Sequence, residues 1–323
     1  MDATRFGPAT VRAVRPVAER VRLVELEPHG GARSYPTGAH IDVALTIAGL
    51  PDTRSYSLVG DRPADGAYRI AVKLLPDSRG GSVLVHQLEP GTVLTVSEPR
   101  SHFELAYGRP EYLLVAGGIG ITPLVGMAQS LLRHGRPFRL LYAARSRAEM
   151  PFAGELQALL GDRLQLYAGE PGRRVDLVGE LAALHPEGEA YVCGPLRMMD
   201  AARLAWAALG REPTRLRIET FGSGGRFAVE PFVVRVRDHR RDVAVGEHET
   251  MLAALRGAGV EVMWDCLRGE CGLCAVSVCR VEGTLDHRDV FLSEAEREEG
   301  RKLCTCVSRA VSGLVEIDTG YRP

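Results

Sequence analysis

Long hydrophobic runs and an excess of charge of either sign are both missing from this sequence. No segment approaches the roughly 18 consecutive apolar residues that a membrane-spanning helix requires. The 323 residues include 40 Lys and Arg against 41 Asp and Glu, which leaves a net charge of −1. Without a strong overall field, the chain is not expected to bind nucleic acid or an anionic membrane through charge. Its length predicts two or three domains, each with its own core.

Signals for export and for internal repetition are also missing. The first residues contain no basic segment followed by an apolar run, so a secretory signal is not expected, and we predict a cytoplasmic protein. Disulfides are rare in that compartment, which leaves metal binding and packing as roles for the seven cysteines. The one basic stretch, at residues 235–241, alternates polar and apolar side chains around a turn. This pattern favours a solvated β-hairpin over a nucleic-acid site.

What the sequence does contain is a group of cysteines near its end. Cys266, Cys271 and Cys274 form a C-x₄-C-x₂-C run, which is the plant-type ferredoxin spacing. Glycines in this loop allow the backbone to curl and to point N–H groups at cluster sulfurs. Zinc sites usually present two C-x₂-C pairs, and the second pair is absent from this sequence. A 2Fe–2S cluster that handles single electrons is therefore the favoured interpretation.

The spacing alone leaves the fourth cluster ligand open. Cys304 is separated from Cys274 by 29 residues, the count found in plant ferredoxins, and Cys306 by 31. The intervening loop, residues 286–302, is charged and is expected to be exposed, so two additional residues there would cost little. On an extended backbone, residues two apart face the same way, and both thiols would then reach the cluster.

Three kinds of pattern follow one another along the chain. Residues 9–105 alternate short β-branched runs with turns, which predicts an antiparallel barrel or sandwich, with one helix near residues 81–88. From about residue 110, buried apolar strands alternate with helices, as in a parallel α/β layer. A flexible tether is predicted at residues 222–225, followed by a hairpin, a helix and the cysteine loop of a small α+β domain. The predicted domains are residues 1–107, 108–224 and 225–323.

Two further motifs carry chemistry. Residues 54–58 place an arginine, a tyrosine and a serine in one extended run that can clasp a flavin, although a polar strand edge would look the same. Residues 117–123 follow a buried strand and open a helix, with Thr122 as the predicted N-cap and Pro123 as the first helical residue. Bare glycine amides at a helix start suit a pyrophosphate, and a plain packing turn is the alternative.

In this order, the motifs resemble the phthalate dioxygenase reductase family, within the wider ferredoxin–NADP reductase superfamily. The resemblance implies a multidomain protein with an antiparallel β-barrel flavin domain, an α/β parallel-sheet nucleotide domain and a C-terminal β-grasp ferredoxin-like α+β domain. The matching segments cover nearly the whole chain and are residues 54–58, 79–82, 117–123, 191–195, 219–222, 286–289 and 306–310.

The resemblance also implies the site residues. Segment 79–82 resembles a site for the terminal phosphate of FMN. Ser57, near flavin N5, Cys193, near the nicotinamide, and Phe221, beside the flavin, are the predicted catalytic residues, although Cys193 also fits a small buried core residue. The predicted cofactor-binding residues are Arg54, Ser55, Tyr56, Ser57, Lys73, Arg79, Gly80, Gly81, Ser82, Gly118, Gly120, Thr122, Pro123, Arg145, Cys193, Gly194, Pro195, Met198 and Phe221.

For the cluster, the resemblance selects Cys306 rather than Cys304 as the fourth ligand after Cys266, Cys271 and Cys274, because the family ligand directly precedes Val-Ser-Arg. The nucleotide donor is less well defined. An acidic residue at the end of the second α/β strand would accept a ribose 2′-OH, but Arg145 and its neighbours occupy that place. The resemblance favours NADH, and the arginines leave NADPH open.

The number of electrons that each cofactor carries predicts the activity. NADH delivers two electrons as hydride and a 2Fe–2S cluster takes one at a time, so a flavin, FMN by the resemblance, must stand between them. Neither the paired Cys–His ligands of a Rieske centre nor a haem-thiolate loop is found in the sequence. We therefore expect a monomeric reductase component that serves a terminal oxygenase on another chain. A Rieske-type partner for ring hydroxylation or O-demethylation is favoured; a cytochrome P450 partner, or an electron carrier with an inert flavin domain, is the alternative.

Overall fold

Three β-sheets follow one another along the chain. The chain divides into two compact units, Met1–Ile218, which includes the first two sheets, and Glu219–Pro323, which includes the third. The predicted domain boundaries themselves stay predictions. The computed structural model describes residues 5–47, 49–75, 80–169, 175–221, 227, 229–237, 241–247 and 249–320.

The first sheet is antiparallel at every described strand pair. Its elements are β1 (Phe6–Ala18), β2 (Val21–Pro28), β3 (His40–Ile47), β4 (Leu50–Ser57), β5 (Tyr68–Lys73), α1 (Gly81–His86) and β6 (Val93–Ser97). The strand order is β4-β3-β6-β1-β2-β5, and Leu58, just beyond β4, bridges Ile70 in β5. The two edges of the sheet therefore meet, and the predicted antiparallel β-barrel is confirmed. Alternating apolar residues such as Val11, Ile41 and Val43 fill its core.

The second sheet is built from buried strands joined by helices. Its elements are β7 (Tyr112–Gly117), α2 (Ile121–Arg133), β8 (Phe138–Ala144), α3 (Ala153–Leu160), β9 (Leu164–Ala168), α4 (Leu177–Ala183), β10 (Glu189–Cys193), α5 (Leu196–Ala208) and β11 (Leu216–Glu219). Strands β10, β7, β8 and β9 pair in parallel, as predicted from their continuous apolar runs. The strand order is β11-β10-β7-β8-β9. The chain thus runs outward from β7 on one side and returns to β10 on the other, which opens a crevice at the carboxyl ends of β7 and β10.

The third sheet is mixed and supports one helix. Its elements are β12 (Phe232–Val236), β13 (Arg241–Val245), α6 (Met251–Gly257), β14 (Ala275–Asp286), α7 (Glu294–Glu299), β15 (Lys302–Cys304) and β16 (Arg309–Asp318). Strand β12 pairs in parallel with β16 and antiparallel with β13, which confirms the predicted hairpin. The Thr250 side chain accepts the N–H of Ala253 and caps α6, whose Met251 and Leu255 pack into the core of the sheet. This is the predicted β-grasp arrangement.

One predicted loop differs from expectation. The sequence predicts that residues 286–302 are exposed, but Asp286, Arg288 and Asp289 are buried, and the segment is mostly exposed only from Ser293 onward. The charges are tolerated because they pair: Arg288 Nε donates to Asp286 Oδ2 at 2.7 Å. The predicted tether at residues 222–225 lies outside the described residues. None of the helices in the described ranges is both long and apolar enough to cross a bilayer.

Candidate functional site

Arg54 and Tyr56 lie on one face of β4. They stand opposite Val43 and Ile41 of β3, and residues two apart on a strand share a face. Tyr56 packs against the barrel core, and its burial raises the pKa of the phenol to about 12, so the ring is neutral. The Arg54 Nη1 atom lies 2.5 Å from Asp52 Oδ1. The strand therefore presents a half-buried aromatic ring and a cation together.

Two glycines bring α1 against that cation. Gly80 has a φ of +94°, and a Cβ built on it would lie 2.5 Å from Ile47 Cγ2. A Cβ on Gly81 would lie 3.0 Å from both Cγ and Nε of Arg54. Gly80 needs to be glycine because of its positive φ and its contact with Ile47, and at Gly81 a side chain would force Arg54 to shift. The arrangement fits the phosphate of a flavin, since a cation and a bare backbone face the same space.

Ser55 faces the other way from Arg54. Its hydroxyl donates to Asp42 Oδ1 at 2.6 Å, and Asp42 is buried and also paired with Arg100. The Ser55 side chain therefore stabilises the pairing of β3 and β4, the two strands that support the site. The sequence does not indicate a role for Asp42, because an acid between apolar core residues of a strand has no distinctive pattern. Ser57 is buried at the end of β4, and its approach to flavin N5 stays a prediction.

The other predicted flavin residues have distinct surroundings. Ser82 is buried, and its hydroxyl accepts the N–H of Leu75 at 3.3 Å. The Lys73 Nζ atom lies 2.5 Å from Glu149 Oε2 and is thus paired with an acid from the connection that follows β8. Arg79 lies outside the described residues, so its predicted contact with the terminal phosphate stays a prediction.

The nucleotide residues meet where two glycine turns cross at the crevice. A Cβ on Gly117 would lie 2.5 Å from Pro195 Cδ, and one on Gly120 would lie 2.2 Å from the Cys193 carbonyl oxygen. A Cβ on Gly194 would lie 3.0 Å from Gly117 Cα. The turns after β7 and β10 can approach this closely only as glycines. The structure therefore brings together two segments more than 70 residues apart in the sequence that the resemblance assigns to one nucleotide.

The start of α2 differs from the prediction. The helix begins at Ile121, its N-cap is Gly120, and no side chain caps it. Thr122 is therefore not the N-cap, and Pro123 is the third rather than the first helical residue. A 3₁₀ turn leads directly into the helix, so the helix begins two residues earlier in the sequence than predicted. The Thr122 hydroxyl instead donates to the Ile119 carbonyl oxygen at 3.1 Å. The first amides of α2 have no capping side chain, which suits a pyrophosphate.

The remaining predicted residues of this region are placed as follows. Gly118 has a φ of +57° and open space around its Cα, so it lines the crevice. Met198, in the first turn of α5, packs its sulfur against the same glycine crossing. Arg145 is exposed just beyond β8. Cys193 is fully buried, and its predicted place near the nicotinamide stays a prediction, as does the role of the half-buried Phe221.

Substitution of Gly120 tests the glycine crossing. We expect Gly120→Ala to raise the KM for NADH on the order of tenfold, because the new methyl group forces the turns apart. Gly154→Ala in α3 is the matched control, since nothing lies within 4 Å of its added Cβ. Steady-state reduction of ferricyanide gives both values. An unchanged KM in a normally folded Gly120→Ala protein would argue against this crossing as the nucleotide site.

The cysteine loop points backbone donors at one sulfur. Cys266 Sγ accepts the N–H groups of Arg268, Glu270 and Cys271 at 3.4, 3.3 and 3.4 Å. A hydrogen bond from the Cys306 thiol, together with these N–H groups, lowers the pKa of Cys266 to about 4. The thiolate is the form that binds metal. The loop is therefore shaped to hold a negatively charged sulfur.

The other thiols form one connected group with Cys266. Hydrogen bonds from Cys304 and Cys306 lower the pKa of Cys274 to about 3, and Cys271 interacts with Cys266. No three Cys, His, Asp or Glu side chains in the described part of the chain converge as a site for one metal ion. A 2Fe–2S cluster takes four thiolates around two irons, so a connected group of thiols with converging amides fits that group.

Cys304 and Cys306 are not equivalent. Cys304 ends β15, and the chain then turns, so that the Ser308 N–H donates to the Cys304 carbonyl oxygen at 3.0 Å. The expectation of an extended backbone between the two cysteines is therefore wrong. Both thiols nevertheless contact Cys274, but Cys306 also contacts Cys266. Cys306 thus lies between two members of the cysteine run, and its role as the fourth ligand stays a prediction.

Asp289 supports this loop, although the sequence predicts no role for it. A Cβ on Gly269 would lie 2.8 Å from Asp289 Cα, and the Val290 N–H donates to the Gly269 carbonyl oxygen at 2.9 Å. Ser308 Oγ donates to Asp289 Oδ1 at 3.0 Å. Although burial alone would raise it, the pKa of Asp289 is held below its usual value by the His287 ring, whose Nδ1 lies 3.7 Å from Asp289 Oδ1, and by hydrogen bonds from the Leu292 N–H and the Ser308 hydroxyl. This acid therefore joins the cysteine run to the segment of the fourth ligand.

Known proteins of similar sequence and structure support this assignment. Toluene-4-sulfonate monooxygenase system reductase subunit TsaB1 of Comamonas testosteroni is 39% identical over 96% of this chain and 98% of its own. The solved structure of phthalate dioxygenase reductase matches with a TM-score of 0.77 and 30% identity over 97% and 98% of the two chains. CYP116B46 of Tepidiphilus thermophilus matches with a TM-score of 0.67 and 36% identity over 97% of this chain, which spans 42% of that longer protein.

Family models divide the chain in the same way. An oxidoreductase FAD-binding domain matches residues 9–105, an oxidoreductase NAD-binding domain residues 114–204, and a 2Fe–2S iron–sulfur cluster binding domain residues 234–311. With the barrel, the glycine crossing and the connected group of thiols, these matches define an NAD(P)H-dependent flavin and iron–sulfur oxidoreductase. The chain belongs to the phthalate dioxygenase reductase family. The predicted family, fold class, enzyme class and set of a flavin, a nicotinamide nucleotide and a 2Fe–2S cluster are confirmed.

Proposed function

We propose that this chain is the reductase component of a multicomponent oxygenase, passing electrons from NADH through FMN and a 2Fe–2S cluster to a separate terminal oxygenase. The observation that carries the proposal is the cysteine loop, in which three backbone N–H groups converge on Cys266 in a chain that also contains a nucleotide crevice. The similarity to a monooxygenase reductase subunit and to phthalate dioxygenase reductase supports it. We favour a Rieske non-haem iron partner.

The residues of this chain would bind and orient the cofactors rather than transfer protons. When bound, the flavin would take two electrons from the nucleotide and release them singly to the cluster. Arg54 and the adjacent Gly81 would hold the flavin phosphate, while the Tyr56 ring would support the flavin plane. The glycine crossing would hold the pyrophosphate, and Cys266, with Cys271, Cys274 and Cys306, would hold the irons. FMN is proposed because segment 79–82 resembles a terminal phosphate site.

A cytochrome P450 partner is the second candidate. Its support is the match to CYP116B46, in which a region like this whole chain occurs within a P450 protein. An electron carrier with an inert flavin domain is the third. The close approach of the Gly81 backbone to the Arg54 guanidinium supports a working flavin site over this third candidate.

The cofactor content of the purified protein tests the proposal. We expect one FMN and one 2Fe–2S cluster per chain, and NADH-driven reduction of cytochrome c, because both sets of binding residues are present. Acid extraction of the flavin, iron and sulfide assays, and the visible spectrum decide this. FAD in place of FMN, zinc without iron, or a protein without flavin would each contradict it. We also propose that the protein is a cytoplasmic monomer with the three domains 1–107, 108–224 and 225–323.

A further inference from the structure

An acidic residue lies just beyond β8, held by the barrel. Glu149 ends a short 3₁₀ turn, Arg147–Glu149, that follows β8 after two residues. Its Oε2 atom lies 2.5 Å from Lys73 Nζ at the end of β5. The two side chains are 21% and 22% exposed, so the pair is partly accessible to solvent. Both residues belong to the first compact unit.

The position of this turn relates it to the nucleotide. Strand β8 neighbours β7, whose carboxyl end carries the glycine turn. In nucleotide-binding sheets of this kind, an acidic residue at the end of the second strand accepts the ribose 2′-OH and excludes a 2′-phosphate. Here Ala144 ends that strand and Arg145 follows it, which is why no acid could be found there from the sequence. Glu149 follows four residues later on the same connection.

Glu149 belongs to a group of charged side chains that follows the end of β8. The hydrogen bond from Lys73, at 2.5 Å, lowers the pKa of Glu149, and the charge of Arg145 contributes in the same direction, so this carboxylate is ionised. Arg145 and Arg147 are exposed. By themselves these two arginines would attract a 2′-phosphate. The Glu149 carboxylate would oppose that attraction, although Lys73, its partner at 2.5 Å, offsets part of its charge.

We propose that Glu149, held in place by Lys73, is the residue of this chain that selects NADH over NADPH. The inference rests on the proposed function, in which NADH is the donor. The turn is anchored to the barrel in a second way, since the Glu19 N–H donates to the Ala148 carbonyl oxygen at 2.7 Å. Loss of the Glu149 charge therefore leaves the turn attached, and its effect on selectivity can be measured separately from folding.

The test compares the two donors in a neutral variant. Glu149→Gln is expected to lower the ratio of kcat/KM for NADH to that for NADPH by on the order of tenfold, mainly through better use of NADPH. Ferricyanide serves as the acceptor, so no oxygenase is needed. Calorimetric titration with 2′,5′-ADP and with ADP provides a readout without turnover, and only 2′,5′-ADP is expected to bind more tightly to the variant.

Two matched variants separate charge from packing. Glu149→Asp keeps the negative charge and is expected to retain most of the selectivity. Glu155→Gln removes an exposed acid from α3 and is expected to change neither ratio nor affinity. An unchanged ratio in Glu149→Gln, or an equal loss in Glu149→Asp, overturns the inference, as does a wild-type preference for NADPH. Wild-type protein that accepts electrons from neither donor would instead refute the proposed function.

Discussion

Cys306→Ser protein is expected to lose or strongly alter its 2Fe–2S cluster, whereas Cys304→Ser protein is expected to keep a normal one. The Cys306 thiol hydrogen-bonds with both Cys266 and Cys274, while the Cys304 thiol hydrogen-bonds with Cys274. Removal of a direct ligand should weaken cluster binding at least as much as removal of a supporting partner, which costs roughly 10- to 100-fold in metal affinity. Iron content should therefore fall sharply in the Cys306 variant.

The measurement uses iron and sulfide content together with electron paramagnetic resonance of the reduced protein. Cys304→Ser is the matched control, because both thiols are buried in the same apolar group beside Cys274. Cys304 lies close enough to Cys274 to replace a missing ligand, so a changed resonance with partial iron in Cys306→Ser would fit the assignment. A normal cluster in Cys306→Ser with a defective one in Cys304→Ser would reverse it.

Arg54→Ala is expected to release the flavin and to spare the cluster. A charge-assisted contact with a phosphate is among the strong hydrogen bonds of proteins, and its loss in a partly buried site costs roughly 2–5 kcal/mol. We therefore expect flavin affinity to fall by at least about thirtyfold and NADH-driven cytochrome c reduction to collapse. The cluster should persist because Arg54 and the cysteines belong to different compact units.

Flavin retained after gel filtration and the visible spectrum of the cluster measure the two effects separately. Arg33→Ala is the control, since Arg33 is an exposed barrel arginine paired with Glu98 at 2.8 Å and outside the predicted site. It should keep both cofactors. If Arg54→Ala lost flavin and cluster together, the two units would not fold independently, and the expected separation would be refuted.

The features of this protein that can be predicted from the sequence are those that a few neighbouring residues specify. The cysteine spacing predicts the cluster loop, and continuous apolar runs such as β7 predict a parallel sheet, because these patterns follow from the local period of the backbone. The glycine turns are also visible as motifs. The reason why these positions must be glycine cannot be found from the sequence. It is the contact of Gly120 with Cys193, and these two residues are 73 positions apart in the sequence.

Several sequence-based assignments are wrong where burial decides the outcome. Residues 286–289 are charged and their sequence predicts exposure, yet the pairing of Asp286 with Arg288 and of Asp289 with Ser308 allows them to be buried against the cysteine loop. The predicted start of α2 is misplaced because a 3₁₀ turn and a helix share the same glycine signal. The hydrogen bond from Ser55 to Asp42 of the facing strand also cannot be found from the sequence, and the predicted role of Ser55 in flavin binding stays a prediction.

The sequence by itself determined the order of the three domains, the cluster type and the two glycine-rich motifs, since each depends on spacing, periodicity and backbone freedom within short segments. Only the tertiary structure decided which thiol lies between Cys266 and Cys274, which side chains support the cysteine loop, and that Glu149 pairs with Lys73. These are contacts between residues far apart along the chain. They arise from the packing of separate elements, where burial makes an unpaired charge costly and thereby selects its partner.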